Sequence, residues 1–115
     1  MVLQALGVLR DGGSVGVLKE AAGDSDPAVR IAAVWSLANI GDVDGARTVV
    51  RAARSREGWE RIQAAKACLL LAENLLAAGN GEAAKRVYTR LQETRESPGE
   101  DYLKEAAARG IAACG

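Results

Sequence analysis

The sequence predicts an all-α fold, an α-solenoid (α-α superhelix) of about three antiparallel helix hairpins plus a leading helix, stacked in a right-handed sense. Apolar residues recur at helical spacing along the chain, and no segment has a comparable strand pattern. Similar segments return at intervals of 33 and 41 residues. Glycine or proline marks the ends of these segments, as expected at helix boundaries.

Three segments share one pattern, in which an aliphatic residue is followed directly by a polar residue and, three positions after the aliphatic residue, by alanine. Another aliphatic residue comes eight positions after the first, and the segments begin at Val29, Ile62 and Leu103. Periods in this range are typical of stacked helical hairpins, with one inner helix in each repeat. We therefore predict inner helices over residues 27–40, 59–78 and 99–113.

The segments before the inner helices are shorter and amphipathic. Their apolar positions recur every three or four residues, as expected for helices with one buried face. We predict outer helices over residues 14–23, 43–55 and 81–95, and a leading helix over residues 2–10.

Capping residues support these boundaries. Asp26 precedes Pro27, and this pair is typical of an N-cap followed by proline in the first turn. Ser97 and Glu100 have capping-box spacing, in which the glutamate carboxylate reaches back to the serine amide. Glycines that can adopt a positive φ follow the apolar segments at Gly12, Gly13, Gly23, Gly41 and Gly79.

Composition limits the class of protein. With 115 residues, the chain is predicted to form a single domain over residues 1–115. Hydrophobic residues make up 49% and charged residues 26%, which argues against disorder. Fifteen basic and fifteen acidic residues leave no net charge to attract nucleic acid or an anionic membrane. No membrane-spanning segment and no secretory signal are recognised, so we expect a cytoplasmic protein.

The sequence also lacks the residues that most catalytic sites need. Histidine is absent, which removes the commonest general base and a frequent metal ligand. Cys68 and Cys114 lie within helical patterns and are expected to be buried free thiols. Two isolated cysteines do not make a zinc site, and no carboxylate pair is predicted in an apolar pocket. We therefore predict that the protein is not an enzyme and has no catalytic residue, metal or cofactor.

Residues 24–42, which read DSDPAVRIAAVWSLANIGD, closely resemble the HEAT-like repeats that also occur in phycobilisome lyases. This resemblance implies that Asp24 or Asp26 joins Arg30 in hydrogen bonds between neighbouring repeats. In the later copies Gln63 and Lys104 stand at the arginine position.

Two further features concern the type of repeat and the extent of the solenoid. Residues 59–95 have some resemblance to a tetratricopeptide hairpin. The chain ends carry apolar residues where terminal repeats normally present polar faces, and these are Leu3, Leu6, Leu9 and Ile111. We expect a segment of a longer solenoid, and the alternative is self-association through these unprotected ends.

The inner helices of this family line the concave side, which suggests a surface for a partner helix or an extended peptide. The predicted partner-binding residues lie opposite the packing stripes, and they are Ile31, Val34, Trp35, Ala38, Leu71 and Arg109. Trp35 would be the anchor of such a surface. The favoured alternative is that Trp35 packs between adjacent inner helices. Trp59 is expected to cover a loop at the start of its helix.

An arginine strip offers a second candidate site, for nucleic acid or phosphate. Its predicted residues are Arg47, Arg51, Arg54, Arg56 and Arg61. Carboxylates are interspersed and no aromatic residue alternates with the arginines, so an ordinary solvated helix face is the favoured interpretation. The sequence thus favours a non-catalytic scaffold that binds a protein or peptide of unknown identity. The alternatives are this anion-binding strip and an accessory repeat domain of a larger enzyme.

Overall fold

The computed structural model describes residues 14–55, 58–94 and 100–114. Within these residues the chain forms six α-helices and no strand. They are α1 (Ser14–Ala21), α2 (Pro27–Ile40), α3 (Val43–Ser55), α4 (Gly58–Ala77), α5 (Gly81–Thr94) and α6 (Asp101–Ala113). The predicted all-α class is confirmed, and each helix ends within two residues of its predicted bounds. The leading helix predicted over residues 2–10 lies outside the described residues.

The helices form two layers. Helices α2, α4 and α6 contact one another in sequence and make an inner layer, while α1, α3 and α5 contact one another and make an outer layer. Each helix also packs against the next one along the chain. This is the arrangement of stacked helical hairpins that the repeat spacing predicts.

The central helix of the stack is α4, which contacts α2, α3, α5 and α6. A helix with so many neighbours needs apolar residues around most of its circumference. Its buried residues are small or aliphatic, and they are Ala64, Ala65, Ala67, Cys68, Leu71, Ala72 and Leu75. They join buried residues of the other five helices in one continuous core.

Hydrogen bonds cap both ends of α2 and the C-terminal end of α4 near the predicted positions. The Asp26 carboxylate accepts a hydrogen bond from the Ala28 N–H at 2.9 Å, which caps the start of α2. At the other end of α2, Gly41 has a φ of 70° and donates its N–H to the Leu37 carbonyl. Helix α4 ends at Ala77 and is followed by Gly79, whose φ is 85°. The N–H of the next residue, Asn80, donates to the Leu75 carbonyl.

A side chain from the next repeat completes the end of α2. The Asn74 side-chain amide of α4 donates a hydrogen bond of 2.8 Å to the carbonyl of Ala38, one of the last carbonyls of α2. Gly41 makes this approach possible, because a Cβ atom there would lie 2.9 Å from the Cβ atom of Asn74.

Arg30 bridges the first two inner helices at their N-terminal ends. Its guanidinium donates to both carboxylate oxygens of Glu60, at 2.7 and 3.0 Å, and to the backbone carbonyl of Asp24 at 2.8 Å. The hydrogen bond with Glu60 raises the pKa of Arg30, although desolvation opposes this shift. The implied role of Arg30 between repeats is therefore present, but its acidic partner is Glu60.

The aspartates named by the resemblance act within their own loop. The Asp24 carboxylate accepts the Asp26 N–H, and the Asp26 carboxylate accepts the Ala28 N–H. A short side chain placed before a helix can reach these nearby amides, whereas Glu60 is longer and lies on the adjacent helix.

Arg61 makes the corresponding bridge one repeat later. It donates to the Glu100 carboxylate at 3.1 Å, and to the carbonyls of Ala53 and Arg54 at the end of α3. The repeat spacing predicts Gln63 at this position, so that part of the prediction is wrong. Glu100 therefore pairs with Arg61 and makes no side-chain cap of α6, while Ser97 lies outside the described residues.

The last two helices pack closely around a glycine. A Cβ atom at Gly110 of α6 would overlap the Tyr88 ring of α5. Burial raises the pKa of the Tyr88 phenol. Ile111, one residue further, is half-buried against the core.

The two cysteines are free thiols. Cys68 is buried, with its sulfur 3.6 Å from the Val49 carbonyl, and Cys114 is half-buried.

Gly41 and Gly79 offer a matched test of the contact between α2 and α4. Both glycines have positive φ, but a Cβ atom at Gly79 would meet nothing within 4 Å. Gly79→Ala should lower the free energy of unfolding by about 1 to 2 kcal/mol, because a residue with a Cβ atom is strained at a positive φ. Gly41→Ala should cost about 1 to 3 kcal/mol more because it also displaces Asn74. Urea denaturation followed by circular dichroism measures both values, and equal losses would contradict this account.

Replacing Arg61 tests the second bridge. Arg61→Met keeps much of the apolar stem but removes the guanidinium that pairs with the Glu100 carboxylate, whose side chain is only 11% exposed. We expect the free energy of unfolding to fall by about 1 to 3 kcal/mol in urea denaturation. Lys66→Met, on the exposed face of the same helix, is the control and should change it little. If the two variants were equally stable, the bridge would contribute nothing.

Candidate functional site

Most of the predicted partner-binding residues lie in the core. Ile31, Val34, Ala38 and Leu71 have exposed fractions of 8%, 1%, 0% and 0%. They cannot form an open floor for a partner, so this part of the prediction is corrected. The physical reason is that α2 and α4 are covered on more than one side, and a helix that is apolar nearly all round does not reveal its open side.

Trp35 and Arg109 are placed differently. The Trp35 ring is half-buried against the core, and its indole N–H donates to the Gln63 side-chain oxygen of α4 at 3.3 Å. The ring therefore lies at the junction of two adjacent inner helices. Arg109 is exposed on α6.

Large apolar side chains are instead exposed at the starts of α4 and α6. Trp59 is 62% exposed, Ile62 one turn later is 37% exposed, and Tyr102 of α6 is 51% exposed. The expectation that Trp59 covers a loop does not account for so open a side chain. We call Trp35, Trp59, Ile62 and Tyr102 the inner strip.

In the first turn of α4 the charged side chains are half-buried and the apolar side chains are exposed, which reverses the usual arrangement. The charged residues Glu60 and Arg61 are half-buried in the contacts with neighbouring repeats, whereas Trp59 and Ile62 face outward. Scattered exposed apolar residues are ordinary, but a group of them rimmed by charged groups is typical of an interaction site. Sequence reasoning missed this site because Ile62 begins one of the repeated aliphatic patterns, and such positions are expected to pack inside stacked helical hairpins.

Only some of the arginines predicted for the anion-binding strip lie together on one helix. Arg47, Arg51 and Arg54 are exposed on α3. Arg61 lies on α4 and is bound to Glu100, and Arg56 lies outside the described residues.

Two arginines from α5 complete a basic groove between the outer helices α3 and α5, which we call the arginine groove. It has a volume of about 670 Å³. Its lining residues are Ala46, Arg47, Val50, Arg51, Arg54, Arg86, Val87 and Arg90. Sequence reasoning missed Arg86 and Arg90, although their spacing of four residues repeats that of Arg47 and Arg51 in the previous outer helix.

No group of three or more metal-ligating side chains is present among the described residues. None of the helices in the described parts of the chain is both long enough and apolar enough to span a membrane.

Comparisons with known proteins agree with the fold. The family model described as HEAT repeats matches residues 1–69, which is more than half of the chain. No curated protein and no solved structure gives a significant match. HEAT repeats generally mediate protein–protein interactions and are typically non-enzymatic. The likeness to phycobilisome-lyase repeats and the tetratricopeptide character of residues 59–95 stay predictions. The protein belongs to the HEAT-repeat family.

Proposed function

We propose that this chain is a non-catalytic protein-binding module that holds a helix or an extended peptide of a partner on the inner strip. The observation that carries the proposal is the exposure of Trp59, at 62%, beside Ile62 on the same face of α4. Tryptophan is enriched among the residues that contribute most to binding energy. The anchor of the proposed surface is thus Trp59, and Trp35 on the adjacent helix α2 belongs to the same strip.

Contacts between helices support a continuous surface. Trp59 and Gln63 are four residues apart and therefore lie on the same side of α4. Gln63 accepts the Trp35 indole N–H, so this side of α4 adjoins α2. The Arg61–Glu100 pair holds the start of α6, which carries Tyr102, next to the start of α4.

The same contacts would favour binding by keeping the surface rigid. The ion pairs Arg30–Glu60 and Arg61–Glu100 fix the first turns of the inner helices against one another. A preorganised surface loses less conformational entropy when a partner binds. Covering the exposed part of Trp59 would remove on the order of 100 Å² of apolar surface from water, which favours association by about 2 to 3 kcal/mol.

Peptides selected from a random-sequence display library against the immobilised chain provide a probe. We expect Trp59→Ser with Ile62→Ser to weaken their binding at least about tenfold, measured by calorimetry, because the apolar anchors are lost. Val17→Ser with Val43→Ser is the matched control, since these side chains are 52% and 44% exposed on α1 and α3. Circular dichroism should show that both double variants remain folded.

Tryptophan fluorescence locates the bound peptide. In a Trp35→Phe variant Trp59 is the only tryptophan, and its emission should shift to shorter wavelength when a selected peptide covers it. Unchanged emission, or equal weakening by the control pair, would contradict the proposal. Light scattering that showed a dimer through the inner strip would assign this surface to a second copy of the chain.

A further inference from the structure

We propose that the arginine groove is a second binding site, and that its ligand is an acidic amphipathic helix of a partner protein. The groove lies between α3 and α5 in the outer layer, whereas the inner strip lies on α2, α4 and α6. The two sites therefore use different helices. Loss of binding at one would leave binding at the other unchanged.

The first argument is the concentration of charge. Five of the fifteen basic residues line this one groove, in a chain whose formal net charge is zero. Every lining residue that the structure describes is arginine, alanine or valine, so the described lining combines basic and apolar side chains. The groove therefore concentrates positive potential and favours an anionic ligand.

The second argument is the spacing of the arginines. Arg47 and Arg51 are four residues apart on α3, and Arg86 and Arg90 are four residues apart on α5. Residues at this spacing lie about 5 to 6 Å apart on one side of a helix. Carboxylates three or four residues apart on a partner helix have the same spacing. Each arginine can bind a carboxylate through two parallel N–H donors.

The third argument is the floor of the groove. Ala46, Val50 and Val87 lie between the arginine walls and offer an apolar surface. Aliphatic side chains of a peptide helix can contact such a floor while flanking carboxylates bind the walls. Single-stranded nucleic acid is usually bound with aromatic side chains that stack on its bases, and no described lining residue is aromatic. The lining therefore favours a peptide over a nucleic acid.

Fluorescence anisotropy with a labelled synthetic helix tests this proposal. The probe has one row of leucines flanked on both sides by glutamates at spacings of three and four residues. A scrambled peptide of the same composition, a labelled oligothymidylate and inorganic phosphate as competitor are the comparison ligands. We expect the patterned helix to bind most tightly, and its affinity to fall as salt is raised because the contacts are ionic.

Substitutions assign the binding to the groove. Arg47→Gln with Arg90→Gln removes one charge from each wall and should weaken binding of the patterned helix about tenfold or more. Arg109→Gln with Lys104→Gln, on exposed positions of α6, removes the same charge elsewhere and should change affinity less than about twofold. Arg47→Lys with Arg90→Lys keeps the charge but loses the paired donors, so its affinity should lie between these values.

Four results would overturn the proposal. The first is that the oligonucleotide binds more tightly than the patterned helix, and the second is that the scrambled peptide binds as tightly as the patterned helix. The third is full displacement of the patterned helix by inorganic phosphate at constant ionic strength. The fourth is that the α6 control pair weakens binding as much as the groove pair does. The first would reassign the groove to nucleic acid, the second would show that helical spacing is not recognised, and the third would show a simple phosphate site.

Discussion

The structure depends on the burial of α4, which packs against α2, α3, α5 and α6. Small residues such as Ala64, Ala65 and Ala67 have no accessible surface there, so neighbouring helices can approach closely. Because α4 is enclosed on several sides, the hydrophobic effect acts around most of its circumference. The two layers of helices are arranged around this enclosed helix.

Apolar packing alone does not set the register between repeats, since alanine and leucine faces can slide past one another. Directional polar contacts at the helix ends do so. Arg30 and Arg61 each join a backbone carbonyl of the preceding segment to a carboxylate of the next inner helix. At the opposite end of α2, Asn74 caps the Ala38 carbonyl. These contacts place charged residues inside the first turn of α4 and leave Trp59 and Ile62 outside.

The two proposed surfaces follow from the same architecture. A layer of parallel helices leaves one face of each helix open to solvent, so each layer can carry its own site. The inner layer presents aromatic and aliphatic side chains at the helix starts, and the outer layer presents arginines around an apolar floor. An apolar surface and a basic surface select different partners, which would let a short repeat segment connect two proteins.

The sequence by itself determined the fold class, the helices in the described part of the chain and the caps at Asp26, Gly41 and Gly79. Apolar periodicity, Asp26-Pro27, Gly41 and Gly79 act within a few residues, so these features can be read locally. Only the tertiary structure decided which side of α2 and α4 is open, that Glu60 and Arg61 are the bridging residues, and that Arg86 and Arg90 face the arginines of α3. These depend on how far each helix is rotated and shifted against its neighbours. Helices that are apolar nearly all round leave that rotation unspecified in the sequence.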